Sequence, residues 1–199
     1  MKVSDITEYD KAMAKIVINE FKREKTDEQI FYDLCFALLA PQTTYINNRK
    51  VSNKLWKADF YNKNIPLEEL EEIVRAARFF RNKSRYLLEA KKKFRYVLMC
   101  IESSADSHRK RDFLVKNIRG LGMKAASHFL RNLGHTDLAL IDTHVLKFLS
   151  DQIPKNKKEY IEIENKLINI SNKIGTSIAE IDAIIWKHYS DTAWEEFVY

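Results

Sequence analysis

Ile118-Arg119-Gly120-Leu121-Gly122-Met123-Lys124 decides how the chain is read. Of the four glycines in 199 residues, two stand here, directly before an apolar-periodic run from Met123 to Leu133. Glycine has no Cβ, so a Gly-x-Gly step can turn tightly and let another molecule approach its backbone. A helix starting at once afterwards offers N–H groups without intrahelical partners and the positive end of its dipole, which suits a phosphate. Alone, the pattern also fits a simple tight turn. Its weight comes from the residues downstream: Lys124 on the first turn, and Asp142-Thr143-His144 eighteen positions beyond that lysine.

Away from the hairpin, apolar residues recur at spacings of three and four with little strict alternation, which predicts an all-α fold. Helices are expected over 8–23, 27–40, 45–57, 67–77, 82–102 and 106–116, then over 123–133, 142–151, 157–173 and 177–190. Thr26 or Asp27, Asp142, and Thr176 or Ser177 supply N-caps. Pro41, Pro66 and Pro154 fall in the breaks, and Gly134 and Gly175 close helices. The expected organisation is one unit over 1–199, folded as two helical lobes with a cleft. One lobe covers roughly 27–133, with the hairpin at 118–122; the other joins 1–26 to 134–199.

Lysine and arginine outnumber acidic residues 34 to 28, a net charge of +6 that suits a polyanionic partner. Basic residues concentrate ahead of the hairpin: Arg75, Arg78, Arg81, Lys83, Arg85, Lys91, Lys92, Lys93 and Arg95, then Arg109, Lys110, Arg111, Lys116 and Arg119. Singly each reads as a solvated side chain; together they are expected to contact phosphates. Cys35 and Cys100 are too few and too far apart for a zinc or iron–sulfur site and are expected as buried thiols in a reducing compartment. The N-terminal residues lack the apolar stretch of a signal peptide, and no apolar run reaches the ~20 residues that span a bilayer. The expectation is a cytoplasmic, nucleoid-associated monomer with no membrane partner.

A lysine on the first turn of a helix is ordinarily a surface charge. Here the positive helix end and partial burial against the following apolar turn are expected to favour the free amine, the nucleophilic form. Asp142 suits a helix N-cap, and the same helix end keeps its carboxylate ionised. An ionised carboxylate can stabilise a sugar carbon that turns cationic as its bond to a base breaks.

Gly120-Leu121-Gly122-Met123-Lys124 with Ile141-Asp142-Thr143-His144-Val145 resembles the helix–hairpin–helix DNA glycosylase superfamily, which includes endonuclease III. Lys124-Ala125-Ala126-Ser127-His128-Phe129-Leu130-Arg131-Asn132 is similar to the archaeal-type 8-oxoguanine DNA glycosylase/lyases, as are Arg78-Phe79-Phe80-Arg81-Asn82-Lys83 and Glu180-Ile181-Asp182-Ala183-Ile184-Ile185-Trp186. The likeness runs from about residue 30 to residue 190. It implies a bifunctional enzyme that extrudes 8-oxoguanine from duplex DNA, with Lys124 as nucleophile and Asp142 as charge stabiliser. It implies no metal or other cofactor. Gly120, Gly122 and Arg119 would hold the backbone, and Gln42 would probe the gap left by the extruded base. Phe79 and Trp186 would line the extruded purine, with Asp182 accepting from a purine N–H; for either aromatic residue alone, core packing is sufficient explanation. His128 and His144 are expected to be structural. The family's basic tail with a terminal lysine, whose carboxylate helps read the base, has no counterpart in His188–Tyr199, which is longer, acidic and aromatic. A glycosylase for another damaged or mismatched base, and a non-catalytic hairpin that only clamps DNA, are the alternatives.

Overall fold

The computed structural model describes residues 1–190 and Trp194. Among the described residues there are eleven α-helices, a short 3-10 turn at Val3–Asp5 and no strand. The helices are α1 (Glu8–Glu20), α2 (Asp27–Leu39), α3 (Tyr45–Lys57), α4 (Leu67–Ile73), α5 (Phe80–Lys92), α6 (Phe94–Glu102), α7 (Ser107–Asn117), α8 (Met123–Asn132), α9 (Thr143–Leu149), α10 (Lys157–Ile174) and α11 (Ile178–Ser190). No helix among them is long and apolar enough to cross a membrane. The chain divides into two compact units: Met1–Arg23 with the residues from Leu130 onward, and Glu24–Phe129.

The central unit is built on α2, whose Phe31, Leu34, Cys35, Leu38 and Leu39 are all buried. Thr26 starts this helix by accepting from the Gln29 amide at 3.3 Å, and Gln29 returns the bond to the Thr26 amide at 2.9 Å. Helices α3 and α5 pack on α2, and Phe31 meets Phe60 and Phe94 at ring-centroid distances of 5.6 and 5.1 Å. The helix expected over 82–102 is two helices, turned at Lys93 (φ −96°, ψ 3°), and the turn seats Phe94 in this aromatic cluster. No glycine or proline marks the turn, because tertiary packing makes it. The helix expected over 67–77 ends at Ile73, and the residues after it form the turn that leads to Phe79.

Helix ends in this unit are closed by lysines from elsewhere. Lys83 Nζ donates to the carbonyl of Leu39, the last residue of α2, at 2.6 Å. Lys91 Nζ donates to Phe60 and Lys63 carbonyls after α3, Lys110 Nζ to Ile101 near the end of α6, and Lys93 Nζ to Asn117 at the end of α7. Terminal carbonyls lack intrahelical donors and carry the negative end of the dipole, so an ammonium satisfies both demands.

In the other unit α11 packs against α1, α9 and α10. Its core joins Ala14, Val17, Ile18 and Phe21 to Ala179, Ala183, Ile184 and Trp194. Ser177 caps α11, bonded reciprocally with Glu180. The sequence departure after His188 falls largely outside the described residues; within it, Trp194 is buried in this core.

Candidate active site

The hairpin is α7, a turn over 118–122, and α8. Asp106 caps α7 by accepting from the Arg109 amide at 2.8 Å. Ile118 and Leu121 are buried and close the turn through a Leu121 N–H to Ile118 carbonyl bond of 3.2 Å. Arg111, 1% exposed, donates from α7 to Ser127 Oγ on α8 at 3.1 Å and ties the two helices together. His128, expected as structural, packs edge-on to Phe36.

The two glycines have different reasons to be glycine. Gly120 has φ +90°, and a Cβ there would lie 2.9 Å from Tyr86 Cγ and closer still to Cδ2. The half-buried Tyr86 ring of α5 is therefore the seat of the hairpin, with the exposed Arg119 guanidinium 5.4 Å from its centroid. Gly122 lies outside the left-handed region, and a Cβ there would meet nothing within 4 Å. Among the described residues nothing demands glycine at 122. It is exposed, and its carbonyl accepts the first bond of α8, from the Ala126 amide at 2.9 Å.

Lys124 is exposed, which corrects the expectation of partial burial: the buried face of α8 runs through Ala125, Ala126, Phe129 and Leu130. The basic cluster also needs correction. Lys83, Lys110 and Arg111 are buried, Lys91 donates to backbone carbonyls, and Lys93 is held by Glu89 and the Asn117 carbonyl, so these five are engaged within the protein. Arg75, Arg78, Arg81, Arg85, Lys92, Arg95, Arg109, Lys116 and Arg119 are exposed.

Beside the hairpin lies a depression lined by Leu38, Gln42, Phe79, Asn82, Tyr86 and Gly120, among others. Gln42 (φ 54°) and Phe79 (φ 59°) both adopt left-handed backbone conformations, and both are exposed. The Arg78 guanidinium lies 4.9 Å from the Phe79 ring centroid. Underneath, Lys83 Nζ reaches Pro41 O at 2.7 Å and Thr43 Oγ1 at 2.8 Å besides Leu39 O. Burial lowers the pKa of Lys83 to about 8.

Asp142 belongs to the other unit. Its Oδ1 accepts from the His144 and Val145 amides, both at 2.9 Å, so it caps α9 as the sequence predicts. The buried, non-helical Leu138–Ile141 segment before it must find partners for its backbone groups. Two side chains one turn apart on α10 provide them. Tyr160 Oη donates to Ala139 O at 2.8 Å and accepts from the Ile141 amide at 3.3 Å, while Glu164 accepts from the Ala139 amide at 2.9 Å. Beyond Asp142, the His144 ring stacks on Tyr189 at 5.8 Å with 7° between planes.

Asp182 is 4% exposed and pairs with Arg131 at 3.6 Å. Its carboxylate compensates a buried guanidinium that also lies over Phe21. Trp186 is half-buried and packs against the core around α1.

The all-helical fold around this Gly-x-Gly hairpin is that of the helix–hairpin–helix DNA glycosylases. The family profile for 8-oxoguanine DNA glycosylase matches residues 14–176. An 8-oxoguanine DNA glycosylase/AP lyase of Methanocaldococcus jannaschii is 36% identical over 180 residues, 85% of each chain. The crystal structure of the Methanocaldococcus jannaschii 8-oxoguanine glycosylase/lyase in complex with 15mer DNA containing 8-oxoguanine has a TM-score of 0.83 at 34% identity, covering 92% of this chain and 91% of that one. The 8-oxoguanine DNA glycosylase of Thermotoga maritima gives 0.84 at 30% identity, with 96% and 95% covered. The chain belongs to the 8-oxoguanine DNA glycosylase family.

Proposed function

We propose that this chain excises 8-oxoguanine from duplex DNA and then nicks the strand, acting at DNA as a single monomeric glycosylase unit. The observation that carries this reading is the exposed position of Lys124 on the first turn of the hairpin's second helix, in a chain of this family. The hairpin amides and Arg119 hold the phosphate backbone, bringing Lys124 to a nucleotide already out of the stack. The neutral amine adds to the anomeric carbon as the glycosidic bond breaks, and the base leaves with the bonding pair and takes a proton. Asp142, whose Oδ1 accepts from two backbone amides, stabilises the positive charge that develops on the sugar. Ring opening gives a Schiff base; loss of a proton from the adjacent sugar carbon then expels the 3′ phosphate by β-elimination.

Base handling falls to the exposed side chains. Gln42 fills the gap left in the duplex, and Phe79 offers an aromatic face to an unstacked base, with the half-buried Trp186 a second face. Borohydride trapping on a duplex containing 8-oxoguanine tests the whole reading. Wild type should form a covalent adduct that Lys124→Gln does not. No adduct from wild type, or an equal one from the variant, would overturn it.

A further inference from the structure

We propose that Lys83 is a positioning residue for base extrusion: its ammonium holds the Pro41 carbonyl before Gln42 and the Thr43 hydroxyl after it, while Phe79 caps its own helix, so the two side chains that meet DNA are set as one piece. The inference rests on the function proposed above.

Every proton of the ammonium is used. Leu39 O, Pro41 O and Thr43 Oγ1 lie 2.6, 2.7 and 2.8 Å from Nζ, and the last two belong to the neighbours of Gln42. Thr43 Oγ1 also accepts from the amide of Arg78, the residue before Phe79, at 3.2 Å. From the other side, the Lys83 amide donates to the Phe79 carbonyl at 3.1 Å. The circuit from Pro41 through Lys83 and Thr43 to Arg78 thus fixes both residues from their flanks and leaves their side chains exposed.

This arrangement goes beyond closing a helix. Lys93 and Lys110 also donate to helix-end carbonyls and Lys91 to the turn after α3, but Lys83 has an acceptor shared with the backbone of a second turn. Non-glycine residues with positive φ are uncommon, and such strain persists only where surroundings over-determine it. Only four occur among the described residues, and Gln42 and Phe79 are two of them. Phe79 holds this conformation at a helix N-cap, a position that is ordinarily extended. The circuit supplies the over-determination, and Gly120 of the hairpin borders the same depression.

Lys83→Met removes the donors at similar length, and Thr43→Val removes the shared acceptor while leaving the lysine. Two duplexes report, both with 2-aminopurine opposite the lesion: one carries 8-oxoguanine, the other a non-cleavable abasic analogue. Nicking of a single strand with a preformed abasic site serves as the reference. Both variants should lose the fluorescence rise on either duplex and slow single-turnover excision by about tenfold to a hundredfold. Single-strand nicking should fall by less than about threefold, the chemistry being spared. The double variant should lose no more than about the larger single loss, since both break one circuit. Excision and single-strand nicking falling together, an undiminished fluorescence rise, or additive losses would overturn the role of Lys83. If Lys83→Met does not fold by circular dichroism, Thr43→Val decides alone. A wild type that leaves 8-oxoguanine in place counts against the functional reading, while the abasic duplex still tests the circuit.

Discussion

Replacing each hairpin glycine by alanine should separate folding from DNA contact. At Gly120 the φ of +90° is strained for a residue with a Cβ, costing about 1–2 kcal/mol, and the methyl would press on the Tyr86 ring. Overpacking of that kind adds roughly 1–3 kcal/mol, so Gly120→Ala should destabilise by about 3 kcal/mol. For a chain of this size that is a melting-temperature drop of roughly 6–12 °C. Tyr86→Ala should relieve the overlap but not the backbone strain, leaving a smaller penalty for Gly120→Ala in that background. Gly122→Ala meets no atom within 4 Å and should leave stability within ~0.5 kcal/mol or raise it slightly. Its effect should appear in fluorescence anisotropy on a duplex carrying a non-cleavable abasic analogue. A methyl that blocks one charge-assisted hydrogen bond to phosphate should weaken binding by about tenfold or more. Wild-type affinity in Gly122→Ala would refute the close approach of phosphate, and an unchanged melting temperature in Gly120→Ala would refute the Tyr86 seat.

Asp142→Asn keeps an equally good N-cap and removes only the charge, so the melting temperature should hold within about 2 °C while excision falls by about 10²–10³-fold. Near-wild-type excision would mean that Asp142 only caps α9. Tyr160→Phe strips the Ile141 amide of its acceptor, costing about 1–3 kcal/mol in denaturant titrations, and should slow excision without changing duplex affinity. An unchanged rate would separate the segment from the chemistry. For Lys83 the folded pKa, about 8, lies below that of the unfolded chain at about 10.4. Between those values the unfolded state binds more protons, so this group favours folding increasingly as pH rises. In urea titrations, wild type should therefore gain stability relative to Lys83→Met above about pH 8. A difference that stays flat or shrinks would mean that three acceptors keep the ammonium charged.

What was legible in the sequence was local. The hairpin, the lysine on its second helix and the N-cap role of Asp142 depend on residues a few positions apart, whose backbone consequences are nearly context-free. The seat of Gly120 on Tyr86, the reach of Tyr160 to Ala139 and Ile141, and the tie from Lys83 to Thr43 span 19 to 40 positions, and only the packed helices bring them together. The same limit explains the misjudged charges. A lysine that closes another helix and one that faces solvent have the same local spacing, and the carboxylate of Asp182 gives no local sign that Arg131 is its partner. Phe79 in a left-handed N-cap could not be foreseen, because aromatic residues rarely adopt that conformation without outside support.

The lysines that close helices also prepare the surface for chemical mapping. An amine-reactive reagent applied to the folded protein should pass over Lys83 and Lys110, whose side chains are buried, and be slowed at Lys91 and Lys93 by their carbonyl partners. Lys92 and Lys116, both exposed, should label readily. Loss of label when DNA is added would then report contact at those amines against an internal background that stays dark, tracing the footprint of the duplex across this part of the protein without a single substitution.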